Sequence, residues 1–337
     1  MSRRDVSMWL AGGLAAGLLV AAGSTTVPYV ALSPGPAINT LGDARGGPIL
    51  GIKGARTYPT DGRLDLTTVN LRDHITLFDA LKGWVSSSQA VIPREFVYPE
   101  DRTEQQNEAE NQQEMTQSQN AATDAALSEL GLATISVDSV VKGGPAVGRL
   151  EVGDVLVSVD GSDISGPGPL RALIRKHRIG EPVELGILRK GVARSVTVTT
   201  GPSTEDKTKA AVGILTKITS SVKVEISLSD VGGPSAGLMF ALGIIDKLGP
   251  ASLTGGRHIA GTGTIEVDGT VGPIGGIAEK LIGARKAGAS VFLVPDLNCS
   301  EAAQHRPDGL TLVRVHTLKE ALGALAQVRA GRTPRSC

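Results

Sequence analysis

The sequence predicts a multi-domain chain, in which an N-terminal transmembrane helix leads to a β-rich domain and then to an α/β (α+β) domain. Three observations predict it. The 337 residues exceed what one hydrophobic core commonly organises, about 250–300. No Asp, Glu, Lys or Arg occurs between Val6 and Gly42. The apolar pattern then changes from short turn-punctuated runs to a polar helix-forming stretch, to a β-rich segment, and to alternating strands and helices. The expected divisions are a cytoplasmic stub and anchor over 1–35, an extracytoplasmic β/helix region over 36–118, a β-rich domain over 119–205, an α/β domain over 206–330 and a tail over 331–337.

Composition narrows the function. Lys and Arg number 34 against 34 Asp and Glu, and aromatics are 3% of the chain. No broad basic face or run of stacking platforms results, so nucleic acid is not an expected partner. Two cysteines form no zinc-ligand pattern, and His258, His305 and His316 are scattered without ligand spacing, so no metal or other cofactor is expected.

The uncharged stretch begins MWLAGGLAAGLLVAAG at Met8 and resumes as VPYVAL at Val27. Roughly 20 apolar residues cross a bilayer as a helix. Arg3 and Arg4 before it would stay cytoplasmic, placing the rest of a single-pass protein outside the cytoplasm, with the cell membrane as a partner. A cleaved signal peptide is the alternative, with Ala21, Ala22 and Gly23 as small residues near the cut.

From Thr103, TEQQNEAENQQEMTQSQNAATDAALSEL has helix formers, no Gly or Pro, and a Thr cap, predicting one long helix ending at Gly131. Its first half is nearly devoid of apolar residues and reads as solvated or bridging. Residues 131–200 alternate short apolar runs with Gly turns, and contain PAVGRLEVGDVLVSVDG. That stretch, with Leu150, Gly153-Asp154 and Asp160-Gly161, resembles the bacterial PDZ signature over about 80 residues. The resemblance implies a peptide added as a strand, its carboxylate held by a loop at Glu129-Leu130-Gly131-Leu132, and a groove between the following strand and a helix near Leu170. A β-domain whose groove is unused stays open beside it.

Two later segments carry chemistry. In SDVGGPSAGLMFALGIIDKLG, Gly233 and Pro234 precede Ser235, and an apolar helix follows at once. Ser235 so stands at a helix N-terminus, where unpaired N–H groups favour a developing oxyanion and Gly233 admits a substrate backbone. A plain N-cap serine fits the same residues. In GPIGGIAEKLIGARKAGA, Ile277, Leu281, Ala284, Ala287 and Gly288 share one helical arc with Lys280, while Glu279, Arg285 and Lys286 do not. Desolvation lowers a lysine pKa toward that of a general base, and snorkelling of the side chain is the alternative.

Together these give a nucleophile and a base without histidine, a Ser–Lys dyad. GGPSAGL and GPIGGIAEKLIGARKAG, in that order over about 120 residues, resemble the proteolytic domain of Lon-type serine peptidases. The resemblance implies Ser235 as nucleophile, Lys280 as base and, within AGTGTIEVDGTVGPIGG, Thr262 as the hydroxyl that orients the lysine. With the PDZ-like unit and the N-terminal helix, the chain is similar to the membrane-anchored PDZ-containing Lon-like proteases of bacteria. It implies protein or peptide substrates and a homo-oligomeric ring of six subunits. Gly232 stands where ATP-driven relatives carry Asp, which leaves the part of a carboxylate open. No Gly-x-x-x-x-Gly-Lys-Ser/Thr loop occurs, so ATP-independent action on unfolded or flexible proteins is expected.

Gly233 to Gly237 also satisfies the nucleophile-elbow pattern, with Asp296 and His316 following in the order of an esterase triad. Against it, the strand VKVEISL ends at Leu228, seven residues early, and no HGGG-type loop precedes it. A non-catalytic PDZ adaptor is the rival of another class. Whether Cys299 pairs with the terminal Cys337 stays open.

Overall fold

The structure is a computed structural model that describes residues 3–44, 46–86, 88–99, 102–164, 166–228 and 232–337. From the N-terminus, α1 (Arg3–Ser24) is followed by β1 (Tyr29–Asn39), β2 (Arg63–Arg72), α2 (Leu77–Trp84), β3 (Ala90–Pro93) and α3 (Glu104–Glu129). A middle unit runs β4 (Thr134–Val140), β5 (Val155–Val159), α4 (Pro167–Ile174), β6 (Pro182–Arg189), β7 (Val192–Thr199) and β8 (Ile214–Thr219). The chain closes with α5 (Gly237–Leu248), β9 (His258–Gly261), the short hairpin β10 (Thr264–Ile265) and β11 (Val271–Gly272), α6 (Ile277–Lys286), β12 (Val291–Pro295), α7 (Cys299–Gln304), β13 (Thr311–Val315) and α8 (Leu318–Arg329).

The N-terminal run forms a helix of 22 residues, yet among the described residues no helix is long and apolar enough to cross a membrane. The expected transmembrane helix, and the single-pass placement with an extracytoplasmic catalytic region drawn from it, are therefore corrected. Composition is the reason: α1 opens on Arg3, Arg4 and Asp5, and beyond Trp9 the helix is mostly Ala and Gly, which carry little apolar surface.

The main sheet has the order β13-β12-β9-β2-β1-β3. Strands β13, β12, β9 and β2 are parallel, and β1 runs antiparallel to both β2 and β3. Strands from the first hundred residues thus complete a sheet whose other half lies near the C-terminus. Side chains alternate across it: Ile259 and Leu293 face a core with Leu238, Phe240 and Leu242 of α5, while Ala260, Phe292 and Val294 face a second core with Ile277 and Leu281 of α6. Helices α5 and α6 consequently lie on opposite faces. Helix α3 packs outside α5, burying Met115, Ala122, Ala125 and Ala126. It starts on the expected Thr103 cap, whose hydroxyl accepts from Gln106 N while the Gln106 side chain accepts from Thr103 N, which makes it a capping box.

The middle unit is a second sheet, β7-β6-β5-β4-β8, antiparallel throughout, with its own core of Val137, Leu156, Leu185 and Ile187 under Leu170 and Ile174 of α4. Asp160 and Lys190 take positive φ at its tight turns.

Cys299, at the start of α7, is bonded to Cys337, and Arg314 N donates to Arg335 O, so both contacts fasten the tail to β13 and its neighbour helix. The cross-link spans 38 residues, a length for which loop closure is worth about 4 kcal/mol. Dithiothreitol should lower the denaturation midpoint of the wild-type chain to that of Cys337→Ser, and leave Cys337→Ser unmoved. Equal midpoints with and without reductant would show the bond to be energetically idle.

Candidate active site

Ser235 sits in the turn that leads into α5, half-buried, with Ala236 as the residue before the first helical turn. Residues 229–231 of the expected segment lie outside the described residues. Gly233 has φ of 81°, a left-handed conformation open to glycine, and no atom lies within 4 Å of where its Cβ would be. Among the described residues, the N–H groups of Ser235 and Ala236 meet no acceptor. They are the orphan donors that a helix start leaves.

Lys280 lies on the second turn of α6. The helix begins on Gly276 at φ 68°, where a Cβ would lie 2.8 Å from Val69 Cγ1. The lysine is 3% exposed, on the side of α6 that buries Ile277, Leu281 and Ala284, whereas Ala287 and Gly288, also expected on that arc, are exposed. Burial pulls its pKa down from about 10.5 to about 8, because an ammonium loses hydration there. Glu279, which the arc excluded, is buried as well.

Between them stands Thr262, fully buried immediately after β9. Its hydroxyl donates to Ser235 O at 3.0 Å and accepts from Lys280 Nζ at 3.3 Å. Gly263 N donates to the same Ser235 carbonyl at 2.9 Å, and Leu238 N to Gly263 O at 3.1 Å. Thr67 of β2 holds the preceding carbonyl, Gly261 O, at 3.2 Å. The three expected residues thus come together at the carboxyl ends of parallel strands, where α/β sheets place their sites. Lys280 meets Thr262 rather than the Ser235 hydroxyl: among the described residues no hydrogen bond joins Ser235 Oγ to Nζ.

Sequence reasoning missed α3. Asn111 O accepts from Gly233 N at 3.2 Å, and the Ser118 hydroxyl donates to Pro234 O at 2.9 Å. The polar composition of α3 hid these contacts; the only available signal was a small hydroxyl residue on the face that further on buries Ala122 and Ala125. Asp296 and His316, the partners of the esterase alternative, approach to 3.9 Å, but Asp296 pairs with Arg314, and neither is bonded to Ser235 among the described residues.

In the middle unit, the edge expected to receive a peptide is covered. Strand β4, which follows Leu130, Gly131 and Leu132, pairs with β5 on one side and with β8 on the other. The edge on that side of the sheet is β8, and between it and α4 lies a groove of about 870 Å³ that includes Leu170, Ile174, Gly213, Ile214 and Thr216 in its lining. Leu130, Gly131 and Leu132 do not line it. Alternation identifies a strand without showing which neighbour it pairs with.

Comparison with known proteins follows this division. A PDZ domain family model matches residues 108–200, and the family model of the Lon protease (S16) C-terminal proteolytic domain matches residues 194–327. Lon protease 2 of Bacillus subtilis is 34% identical over 92 residues, 27% of this chain and 16% of the relative. Lon protease 1 of Sorangium cellulosum is 36% identical over 103 residues, 30% of this chain and 12% of the relative. The chain therefore spans less than a fifth of the length of the curated relatives it matches. The crystal structure of the PDZ domain of an SdrC-like protein from Listeria innocua matches at 20% identity and a TM-score of 0.23, covering 25% of this chain and 92% of that one. The chain thus carries a PDZ domain followed by a C-terminal proteolytic domain of the Lon (S16) family.

Proposed function

We propose that the protein is a serine endopeptidase in which Ser235 attacks the scissile carbonyl and Lys280 moves the proton. The observation that carries this reading is a lysine buried to 3% exposure and joined through one threonine hydroxyl to the backbone of a serine at a helix start. As Oγ bonds to the carbonyl carbon, its proton passes to the neutral Lys280 amine, and the carbonyl electron pair goes to oxygen, facing the free N–H groups of Ser235 and Ala236. Collapse breaks the C–N bond, and Lys280 returns the proton to the leaving amine. Water then repeats the sequence on the ester and frees Ser235. Nucleophile and base commonly stand further apart before substrate closes the site, which accords with Lys280 resting on Thr262.

The reading draws on no nucleotide, so substrates arrive as flexible or unfolded segments. The PDZ groove between β8 and α4 supplies their second foothold, an extended peptide adding to the β8 edge with apolar side chains against Leu170 and Ile174. A ring of six subunits belongs to the same proposal through the Lon resemblance.

Ser235→Ala and Lys280→Ala should each abolish cleavage of an unstructured polypeptide while the folded signal is retained. Wild-type kcat/KM should rise with pH about a midpoint near 8, where Lys280 becomes neutral; a midpoint near 6.5 would point to histidine instead.

The same burial affects stability. Lys280 holds its proton below about pH 8 in the folded chain and to about 10.5 in the unfolded one. Below pH 8 both states are charged and the folded state bears the full cost of a buried ammonium. Between 8 and 10.5 the unfolded state binds more protons, so stability rises with pH. Lys280→Met should therefore raise stability at pH 7 by about 1–3 kcal/mol, and that advantage should shrink as denaturation is repeated at pH 8 through 10.5. A constant difference over this range would contradict the burial argument.

A further inference from the structure

A trans peptide unit points its N–H and its C=O in opposite directions, so fixing one end aims the other. Two consecutive units around Ser235 are each held at the carbonyl. The Ser235–Ala236 unit is held by Thr262 Oγ1 at 3.0 Å and Gly263 N at 2.9 Å. The Pro234–Ser235 unit is held by Ser118 Oγ at 2.9 Å, with Gly237 N more distant at 3.5 Å. The opposite ends are the Ser235 and Ala236 N–H groups, which meet no acceptor among the described residues.

The two holds are unequal in what supports them. Thr262 and Gly263 form the short link between β9 of the main sheet and the β10–β11 hairpin. The Pro234 carbonyl follows Gly232, which is exposed, and Gly233, which has positive φ and open space around its missing Cβ. Little packing resists a turn of that peptide unit, so its orientation depends on Ser118. The serine is 4% exposed on α3, wedged so closely that a Cβ on Gly237 would lie 2.7 Å from its Oγ. A buried hydroxyl costs free energy unless bonded, and alanine would suit the helix better. Helix packing alone gives no reason for serine here.

We propose that Ser118 is a positioning residue of the peptidase site: its hydroxyl fixes the Pro234–Ser235 peptide so that Ser235 N–H is presented to the oxyanion. This rests on the reading of Ser235 as the nucleophile. Hydrogen bonding at the carbonyl also polarises the N–H at the other end of the unit. Ser118 lies on α3, a helix that packs against α5 and leads directly into the middle unit, so the group comes from an element shared by the two.

The test compares full-length wild type, Ser118→Ala and Met115→Leu, the last altering a buried α3 side chain with no bond to the Pro234 loop. Cleavage of a quenched fluorescent unstructured polypeptide is measured against pH, together with inhibition by a peptidyl boronic acid, whose tetrahedral adduct places an oxygen where the oxyanion forms. For Ser118→Ala we expect kcat to fall at least about tenfold, KM to change less than about twofold, and the boronate inhibition constant to rise in step with the loss in kcat. The pH midpoint near 8 should not move, since Lys280 is untouched. The proposal is overturned if Ser118→Ala keeps the kcat of Met115→Leu, or if kcat, KM and midpoint shift together as in a general loosening. If wild type neither cleaves nor binds the boronate, the peptidase reading falls and takes this inference with it; cleavage indifferent to Ser118 removes only the inference.

Discussion

The site depends on one buried hydroxyl. Thr262 Oγ1 has a single proton, and by giving it to the Ser235 carbonyl it can only accept from Lys280 Nζ. That polarity suits a lysine in either protonation state, since amine and ammonium both donate. The ammonium has two further protons, however, and no other hydrogen bond to Nζ occurs among the described residues. The neutral amine leaves one N–H and its lone pair instead, so the hydrogen-bond count does not separate the two forms, and the loss of hydration is what favours the neutral one.

Thr262 can serve both partners because of where it stands in the sheet. Helices α5 and α6 lie on opposite faces, and their functional residues meet only where a strand ends and its last residue is accessible from both sides. The parallel order β12-β9-β2 brings that end to the middle of the sheet, with Leu293 O accepting from Thr262 N and Thr67 holding Gly261 O. Thr67 lies 194 positions before Gly261. The site therefore requires the N-terminal strands to be in place, with the PDZ unit carried between the two halves of the sheet that supports it. Such long-range pairing is costly in chain entropy before it is rewarded.

What the sequence disclosed was local. The Thr103 cap, the helix start after Ser235 and the first turns of the apolar arc around Lys280 are each set by residues within a few positions of one another, and the structure has them, although the arc ends early, with Ala287 and Gly288 exposed and Glu279 buried. What it withheld were partnerships between distant segments. Period-2 alternation near Leu64 marks a strand but not that it pairs with β9 beyond residue 250. The alternation after Gly131 marks β4 but not that β8 returns to cover its edge. Ser118 and Asn111 sit in a stretch whose polarity suggests solvent, because their role is to bond a loop over 110 residues away rather than to bury apolar area. The uncharged N-terminal run misled differently: absence of charge was read as apolarity, although Ala and Gly supply length without much surface to bury.

The groove and the peptidase site share structural elements. On α3, Ser118 bonds the loop before Ser235 and Asp124 lines the groove, six residues on, about 9 Å along the helix axis. The β10–β11 hairpin is the second shared element. Its tip brings Val267 to the groove and Asp268 against Gly168 of α4, while its stalk leaves from Gly263, which holds the Ser235 carbonyl, and returns toward Gly276 and Lys280. Contact alone does not make this allosteric. A peptide in the groove can shift the peptidase site only by the difference in its affinity for two arrangements of α3 or the hairpin. Of the two, the bond to Pro234 O is the readier to differ, because the Thr262 side is tied into the sheet at several points while the Pro234 peptide is fixed chiefly from α3. The groove and the Ser235 turn are therefore joined through two elements, α3 and the β10–β11 hairpin, of which α3 is the one that reaches the Pro234 peptide directly.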